Sequence, residues 1–295
     1  MIHSIKFIRI HLLFHFMVWN QAIDPVIFEL PGFQLRFYGL IAAVALLFAF
    51  HIIKTEVGRT KFRVSISDML DMTILSILAG LIGARAYYVL CNLEYYFKPD
   101  TKPEEVLFIW QGGMGSYGGL LFGGLVLLAI CKFKNLRFVL LADIIATCLF
   151  LGLAITRIGN YINGEFYGLP TGFDWGVVFE YGPAGYEFPG TPLHPVMIYL
   201  GVLELAAFVS IYNLRKFKFK PGFLACVFLF LYSFIHFTIG FLRADNLYFF
   251  DVNPDRIFSV IGIIISAFLI IGFQLYHRPS KYRVKEYVPT RRWRF

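Results

Sequence analysis

Charge is scarce in this chain. Only 16% of its 295 residues are Asp, Glu, Lys or Arg, against about 25% in a soluble globular domain. A water-facing surface of this size needs more ionised side chains, so a soluble enzyme is excluded and a multi-pass membrane protein is expected. Cysteine is scarce too. Cys91, Cys131, Cys148 and Cys226 lie in or beside apolar runs, with no C-x-x-C pair. That gives neither a disulfide framework nor a metal site, and the four read as small buried hydrophobes. Internal repeats, low-complexity stretches and a separate soluble domain are also missing. Acidic residues are in deficit and the net charge is +8. The basic residues fall in short connections between apolar runs, so nucleic acid is not an expected partner.

What is abundant is apolar surface: 58% of residues are hydrophobic, with 34 Phe and 17 Tyr, suited to lipid-facing helices and interfacial belts. Apolar runs close to the bilayer-crossing length recur. There are seven: Phe37–Ile53, Met69–Leu90, Gly112–Ile130, Phe138–Thr156, Pro195–Leu214, Gly222–Leu242 and Ile257–Tyr276. They are continuous rather than alternating, which excludes a transmembrane barrel. The fold class expected is an all-α membrane protein of seven transmembrane helices.

The connections set the orientation. The first carries Lys54, Arg59, Lys61 and Arg63. The third carries Lys132, Lys134 and Arg137, and the fifth Arg215, Lys216, Lys218 and Lys220. The tail carries Arg278, Lys281, Arg283, Lys285, Arg291, Arg292 and Arg294. Every other connection is therefore basic, and the positive-inside rule places these and the C-terminus in the cytoplasm. The start of the first span and the connections Asn92–Gln111, Arg157–His194 and Arg243–Arg256 then lie outside. Arg157–His194 is long and rich in Gly, Pro and aromatics, which predicts a small ordered extracytoplasmic head between spans four and five, with short strands in Trp175–Glu180. Residues 1–22 form an N-terminal extension. Lys6 and Arg9 precede the short apolar run Ile10–Trp19, and the segment reads as signal-like, interfacial or a start-site artefact, Met17 being an alternative initiator. Residues 23–276 make the seven-span domain and 277–295 a basic cytoplasmic tail.

Polar residues at the outer ends of the spans are the candidates for chemistry. Arg157-Ile158-Gly159-Asn160-Tyr161-Ile162-Asn163-Gly164-Glu165 follows the fourth run directly. Polar groups at such depth are costly and mark functional sites, and an arginine fork suits phosphate. Set against that, Gly-Asn and Asn-Gly pairs form turns and an arginine at a membrane exit can snorkel. Tyr38 opens the first span, where an aromatic anchor is the plain alternative. Arg85 lies inside the second span after small residues and is expected to need an internal anion. Gly112-Gly113-Met114-Gly115-Ser116-Tyr117-Gly118-Gly119 opens the third span, where glycines serve either an anion cradle or tight helix packing. Asp143 is expected in a structural ion pair or hydrogen bond. His194 precedes the fifth span and Tyr199. Arg243 ends the sixth, with Asp245 as its expected partner. Three arginines against one or two acids leave room for an anionic lipid head group.

These residues resemble the prolipoprotein diacylglyceryl transferase family. Arg157–Gly168 is similar to its signature R-x-G-N-[FY]-x-N-x-E-x-x-G, and Ile23–Phe28, Tyr38-Gly39-Leu40, Gly83-Ala84-Arg85, Gly112-Gly113, Gly118-Gly119, His194-Pro195, Tyr199 and Arg243 fall in the family's order. The resemblance runs from about Ile23 to Tyr276. It implies transfer of the diacylglyceryl group of phosphatidylglycerol to the lipobox cysteine of a preprolipoprotein signal peptide, in the bacterial cytoplasmic (inner) membrane, without metal or cofactor. It implies catalytic roles for Arg157, Arg243, Tyr38, Tyr117, Glu165 and His194, and substrate binding by Arg157, Asn160, Asn163, Gly164, Arg85 and Gly118. Arg157 and Arg243 would face phosphate, Asn160 and Glu165 would orient the head group or hold the arginines, and Tyr38 would position lipid or thiol.

Three positions depart from the family pattern. Tyr117 stands where histidine is common, and a phenol with a pKa of about 10 is a poor base at neutral pH. Either no base is essential, or His194 or Glu165 takes that part, or Tyr117 only donates a hydrogen bond. Leu200 and Gly240 stand where acids are common. A seven-span transporter or flippase for an anionic lipid, and another phospholipid-head-group transferase, are the competing functions. A transporter would normally show repeats and mid-membrane helix breaks.

Overall fold

The computed structural model describes residues 19–30, 33–60, 62, 64–96, 103–108, 113–245 and 253–277. The expectations for residues 1–18 of the N-terminal extension and for 278–295 of the tail lie outside the described residues. The elements, in order, are β1 (Trp19–Gln21), β2 (Val26–Leu30), β3 (Phe33–Arg36), α1 (Phe37–Thr60), α2 (Ile66–Cys91), a short α3 (Leu93–Tyr96), a 3₁₀ turn (Pro103–Leu107), α4 (Ser116–Phe133), α5 (Phe138–Asn163), β4 (Val177–Phe179), α6 (Gly182–Glu187), α7 (Val196–Leu214), α8 (Phe223–Ile239) and α9 (Pro254–Gly272).

Among the described residues six helices, α1, α2, α4, α5, α7 and α9, are long and apolar enough to cross a membrane. The sixth expected span is shorter: α8 has 17 residues, about 26 Å at the helical rise of 1.5 Å, against a hydrocarbon core of about 30 Å. The all-α expectation is corrected to mostly helical. β2 pairs antiparallel with β3, and β1 pairs parallel with β4. These short strands lie where the chain is poor in the continuous apolar runs that make spans.

The chain divides into two compact units. The first takes in the described residues up to Phe50, Cys148–Ile211 and Phe228–Ile264. It contains the head expected between spans four and five. Tyr167, Val177, Phe179, Ala184, Leu193 and Met197 form its buried core, and β4 falls inside the stretch predicted to hold short strands. β1 lies in the segment read as an extension, yet it is tied into this head. Gln21 is buried, its carbonyl accepts from the Glu180 N–H at 3.1 Å, and its side-chain amide donates to the Ile162 carbonyl at 3.2 Å.

The second unit comprises His51–Thr147, Tyr212–Val227 and the described residues from Ile265. Here α2 and α4 approach closely through small residues. A Cβ on Gly83 would come within 2.5 Å of the Gly118 carbonyl oxygen, and one on Gly118 within 2.3 Å of the Gly83 oxygen. Several contacts tie helix ends to neighbouring connections. The Asp143 carboxylate caps the start of α8 by accepting from Gly222 N–H (2.7 Å) and Ala225 N–H (2.9 Å), the structural role expected of it. Glu56, buried near the end of α1, pairs with Arg215, and Asp68 pairs with Lys134. Cys131, Cys148 and Cys226 are buried and Cys91 half-buried, all as free thiols.

The glycine contact generates a stability prediction. Gly118→Val puts atoms where Gly83 and Tyr87 already stand, and overpacking of this kind costs about 1–3 kcal/mol. A Cβ at Gly124 meets nothing within 4 Å, so Gly124→Ala is the control. Thermal unfolding in detergent should show a lowered midpoint for the first and an unchanged one for the second; equal midpoints would contradict the close helix crossing.

Candidate active site at the C-terminal end of α5

The fourth run was expected to end at Thr156. The helix instead continues to Asn163, so Arg157, Asn160 and Asn163 lie on its last two turns. Their spacing of three residues places successive members near one another on one side of the helix. The Gly159-Asn160 pair does not break it, and the end is made at the Asn163-Gly164 pair. Gly164 adopts φ +64°, the left-handed cap position that glycine accepts without a Cβ penalty. The Glu165 N–H then returns to the Asn160 carbonyl at 2.9 Å, and the Gly164 N–H reaches Tyr161 O at 3.4 Å. This paired closure satisfies two of the last helical carbonyls. A Cβ at Gly164 would also stand 2.6 Å from the Tyr181 carbonyl oxygen. Gly164 is therefore placed as a cap and packing residue.

Arg157 is 6% exposed and Glu204, on α7, is 0% exposed. The Arg157 Nε donates to Glu204 Oε2 at 3.0 Å and Oε1 at 3.2 Å, and Nη2 donates to Oε1 at 2.6 Å. Nη1 donates to Asn160 Oδ1 at 3.4 Å. A guanidinium has five N–H groups. Glu204 occupies its side edge, and Asn160 takes one hydrogen of Nη1. One N–H on each of Nη1 and Nη2 has no partner among the described residues, and guanidinium donors of this kind suit phosphate. His236 Nε2 lies 3.7 Å from Glu204 Oε1, with its ring 4.2 Å from that of Tyr232.

Glu165 follows the cap. Asn160 Nδ2 donates to its Oε2 at 3.2 Å and Asn163 Nδ2 to its Oε1 at 3.3 Å. Burial pushes its carboxyl above the ordinary range, and the nearby Asp245 adds to that; the two amide donors and Arg36 pull it back down. Asn163 Oδ1 is buried with no hydrogen-bond partner among the described residues. Tyr38 packs its ring against Gly159, where a Cβ would stand 2.8 Å from Tyr38 Cδ2, and its phenol lies in the field of both Glu165 and Arg157.

Arg243 is reached through the backbone. Residues after the α5 cap pair with the segment after α8. Leu169 N–H donates to Leu242 O at 2.9 Å and Ala244 N–H to Tyr167 O at 3.1 Å, with a bridge between Gly168 and Arg243. Arg243 Nε donates to Asp245 Oδ1 at 2.9 Å, the expected partner, and Nη1 lies 3.8 Å from Asp255 Oδ2. Burial alone would lower the Arg243 pKa, but Asp245 and Asp255 more than offset it and hold the cation firmly protonated. Phe166 sits between the two arginines in sequence and in contact. Its ring centroid is 4.6 Å from Arg157 Cζ and 4.5 Å from Arg243 Cζ.

Among the expected site residues, the structure places Arg157, Asn160, Asn163, Glu165 and Tyr38 in one neighbourhood, with Arg243 joined to it through Phe166. His194 lies in the same unit, but its side chain meets Tyr199 (Nδ1 to hydroxyl, 3.3 Å) and the Phe173 ring. Arg85, Tyr117 and Gly118 belong to the other unit. Arg85 was expected to need an internal anion. Among the described residues its guanidinium donates to three carbonyls, Glu105 O at 2.6 Å, Val106 O at 2.9 Å and Gly113 O at 3.1 Å. It pins the connection between α3 and α4 onto α2, because carbonyl dipoles can satisfy a buried cation as an anion would. Gly118 is occupied by the contact with Gly83 described above, and Tyr117 is half-buried in the first turn of α4.

The expected surplus of positive charge is corrected as well. Arg157 is matched by Glu204, and Arg243 by Asp245 and Asp255. Glu204, His236, Asp255 and Phe166 were not singled out from sequence. A signal for Glu204 existed: it is the single charged residue of Val196–Leu214, and a carboxylate within a span implies a buried partner.

Residues 25–272 match the family model for prolipoprotein diacylglyceryl transferase. The chain is 32% identical, over a 284-residue alignment, to the phosphatidylglycerol–prolipoprotein diacylglyceryl transferase of Fusobacterium nucleatum, with 84% of this chain and 97% of that protein covered. It is 31% identical to the proteins of the same name from Lactobacillus acidophilus, covering 90% of this chain and 95% of that one, and from Staphylococcus aureus, covering 90% and 94%.

The Arg157–Glu204 pair yields a stability test. Glu204→Leu leaves a buried guanidinium unmatched and should cost about 3–5 kcal/mol, whereas Arg157→Met combined with Glu204→Leu should recover much of that loss. Detergent unfolding midpoints would read this out, and a double variant as unstable as the single would contradict the pairing.

Proposed function

The chain belongs to the prolipoprotein diacylglyceryl transferase family, and from that premise we infer that the outer end of α5 is where phosphatidylglycerol and a prolipoprotein cysteine react. The activity is that of a phosphatidylglycerol–prolipoprotein diacylglyceryl transferase, and the protein is a multi-pass membrane enzyme. Seven spans are proposed, with α8 crossing as the short member. The N-terminal end of α1 would be outside and the C-terminus in the cytoplasm of a bacterial inner membrane. The alternation of basic connections supports this orientation.

The reaction forms a bond from the cysteine sulfur to the glyceryl carbon and breaks the bond from that carbon to a phosphate oxygen. The electron pair of the broken bond leaves with glycerol phosphate, and the thiol proton must be taken up. Fixed donors aimed at the oxygen that gains charge are the largest aid available to such a step. The observation that carries the assignment is the buried Arg157 guanidinium, its side edge fixed by Glu204 and further donors left on Nη1 and Nη2. Because Arg157 and Arg243 are already neutralised by acids, phosphate is held by directed hydrogen bonds rather than by surplus charge. Arg243 supplies the second cation.

Glu165 is the proposed acceptor of the thiol proton. A free cysteine has a pKa of about 8.5, and a carboxylate whose pKa is raised by burial is a better match for that proton than an ordinary one. Asn160 and Asn163 orient it by holding one oxygen each. Tyr38, within the field of Glu165 and Arg157, is assigned to positioning lipid or thiol. Glu165 is better placed for that role than His194, whose side chain meets the head aromatics Tyr199 and Phe173, or Tyr117, a phenol with an ordinary pKa of about 10. An open apolar groove of about 450 Å³ between α5 and α7 has Leu151, Ile155, Ile158, Ile198 and Val202 in its walls together with Arg157. It suits an acyl chain whose phosphate lies at the arginine.

Two outcomes are expected. Arg157→Lys should insert normally yet lose about ten- to a hundredfold in transfer, since a point charge cannot hold Glu204 and phosphate at once. The assay is mass gain of a lipobox peptide with matched glycerol phosphate release, and near-normal turnover would remove Arg157 from the phosphate. The second concerns pH. A base with a raised pKa is deprotonated, and active, only above that raised value, so activity should fall as pH drops through it. The acidic limb of the pH–rate profile should lie above about 4.3, the ordinary glutamate value, and should vanish from the residual activity of Glu165→Gln. An unchanged limb in that variant would assign the base elsewhere.

A further inference from the structure

We propose that Phe166 is a positioning residue for the phosphate site, its ring acting as the spacer that sets the distance and orientation between Arg157 and Arg243. The inference rests on the reading that these two arginines hold the phosphate of the lipid. Both guanidinium carbons lie over the same ring, at 4.6 Å and 4.5 Å from its centroid. The two cations are therefore no more than about 9 Å apart, a separation at which like charges in a poorly hydrated site repel. An aromatic face attracts a cation electrostatically without bearing charge. It also has no donor or acceptor that would compete with phosphate for the forks.

The placement of the ring is itself enforced. Phe166 has φ +56°, the left-handed region that disfavours a residue with a Cβ. It is held there by its N–H, which donates to Asp245 Oδ2 at 3.1 Å, while Oδ1 of the same carboxylate accepts from Arg243 Nε at 2.9 Å. One acid thus fixes both the spacer and one of the groups it spaces. On the other side, Glu204 fixes Arg157 by its side edge. The two guanidiniums are anchored by acids and share the ring between them, which suits a single phosphodiester held between two cations at a set span. An aliphatic side chain at this position would fill the volume but offer neither cation a π-face.

The test is steady-state transfer by the purified full chain with phosphatidylglycerol in mixed micelles and a one-cysteine lipobox peptide. Phe166→Leu and Phe166→Met remove the ring with little change in volume, Phe166→Tyr keeps it, and Arg157→Ala is the control. Expected are a fall of about tenfold or more in kcat and in kcat/KM for phosphatidylglycerol in the Leu and Met variants, an unchanged KM for the peptide, and thermal midpoints close to that of the Tyr variant. Phe166→Tyr should stay within about threefold of the parent. Wild-type turnover in Leu and Met beside an inactive Arg157→Ala would overturn the spacer while leaving the phosphate reading standing. Equal impairment of Leu, Met and Tyr would also overturn it, since shape rather than the π-face would then matter. An active Arg157→Ala would overturn both.

Discussion

The buried pair of Arg157 and Glu204 is the constraint on which the site depends. Removing either charge from water costs several kcal/mol after relaxation, repaid only when the partner is close and well aligned. Here the alignment is side-on, with Nε and Nη2 on one carboxylate at 3.2 Å or less. It fixes the register of α5 against α7 at the level where the signature lies. The same arrangement leaves one donor on each of Nη1 and Nη2 for another anion. A carboxylate met end-on would have consumed them.

From that anchor the rest of the site follows the chain outward. Asn160, one turn on, receives a hydrogen bond from Arg157 and passes one to Glu165. The cap at Gly164 turns the backbone so that Glu165 comes back over the last helical turn. Phe166 then points its ring at both arginines, and residues 167–169 pair with 242–244 so that Arg243 is delivered by backbone hydrogen bonds rather than by helix packing. A loop residue held on both sides by main-chain contacts is a firmer support than an exposed turn. The head core of Tyr167, Val177, Phe179 and Leu193 lies directly behind it.

Much of this was legible in the sequence. Apolar runs located six of the spans to within a few residues at most ends, because lipid forces continuous helices. The signature placed Arg157, Asn160, Asn163 and Glu165 together, and Asp245 was rightly expected beside Arg243. Two physical effects were not legible. Helix continuation through Gly159 depended on Tyr38 packing against it, a tertiary contact that outweighs local turn propensity. The acids that neutralise the arginines come from remote segments, Glu204 from α7 and Asp255 from the start of α9, so a count of nearby charges overestimated the positive surplus. The carbonyls that Arg85 donates to were not legible either, since backbone acceptors leave no trace in residue type. The strand β1 was unreadable because three residues carry too little pattern and its partner lies more than 150 positions away.

The most direct measurement is a structure of the protein with a phosphonate analogue of phosphatidylglycerol that cannot release its head group. The phosphonate oxygens are predicted within hydrogen-bonding distance of Arg157 Nη1 and Nη2, with Glu204 still on Nε and Arg243 on the far side of the group. A phosphonate bound elsewhere, or one that displaces Glu204 from Arg157, would contradict the account.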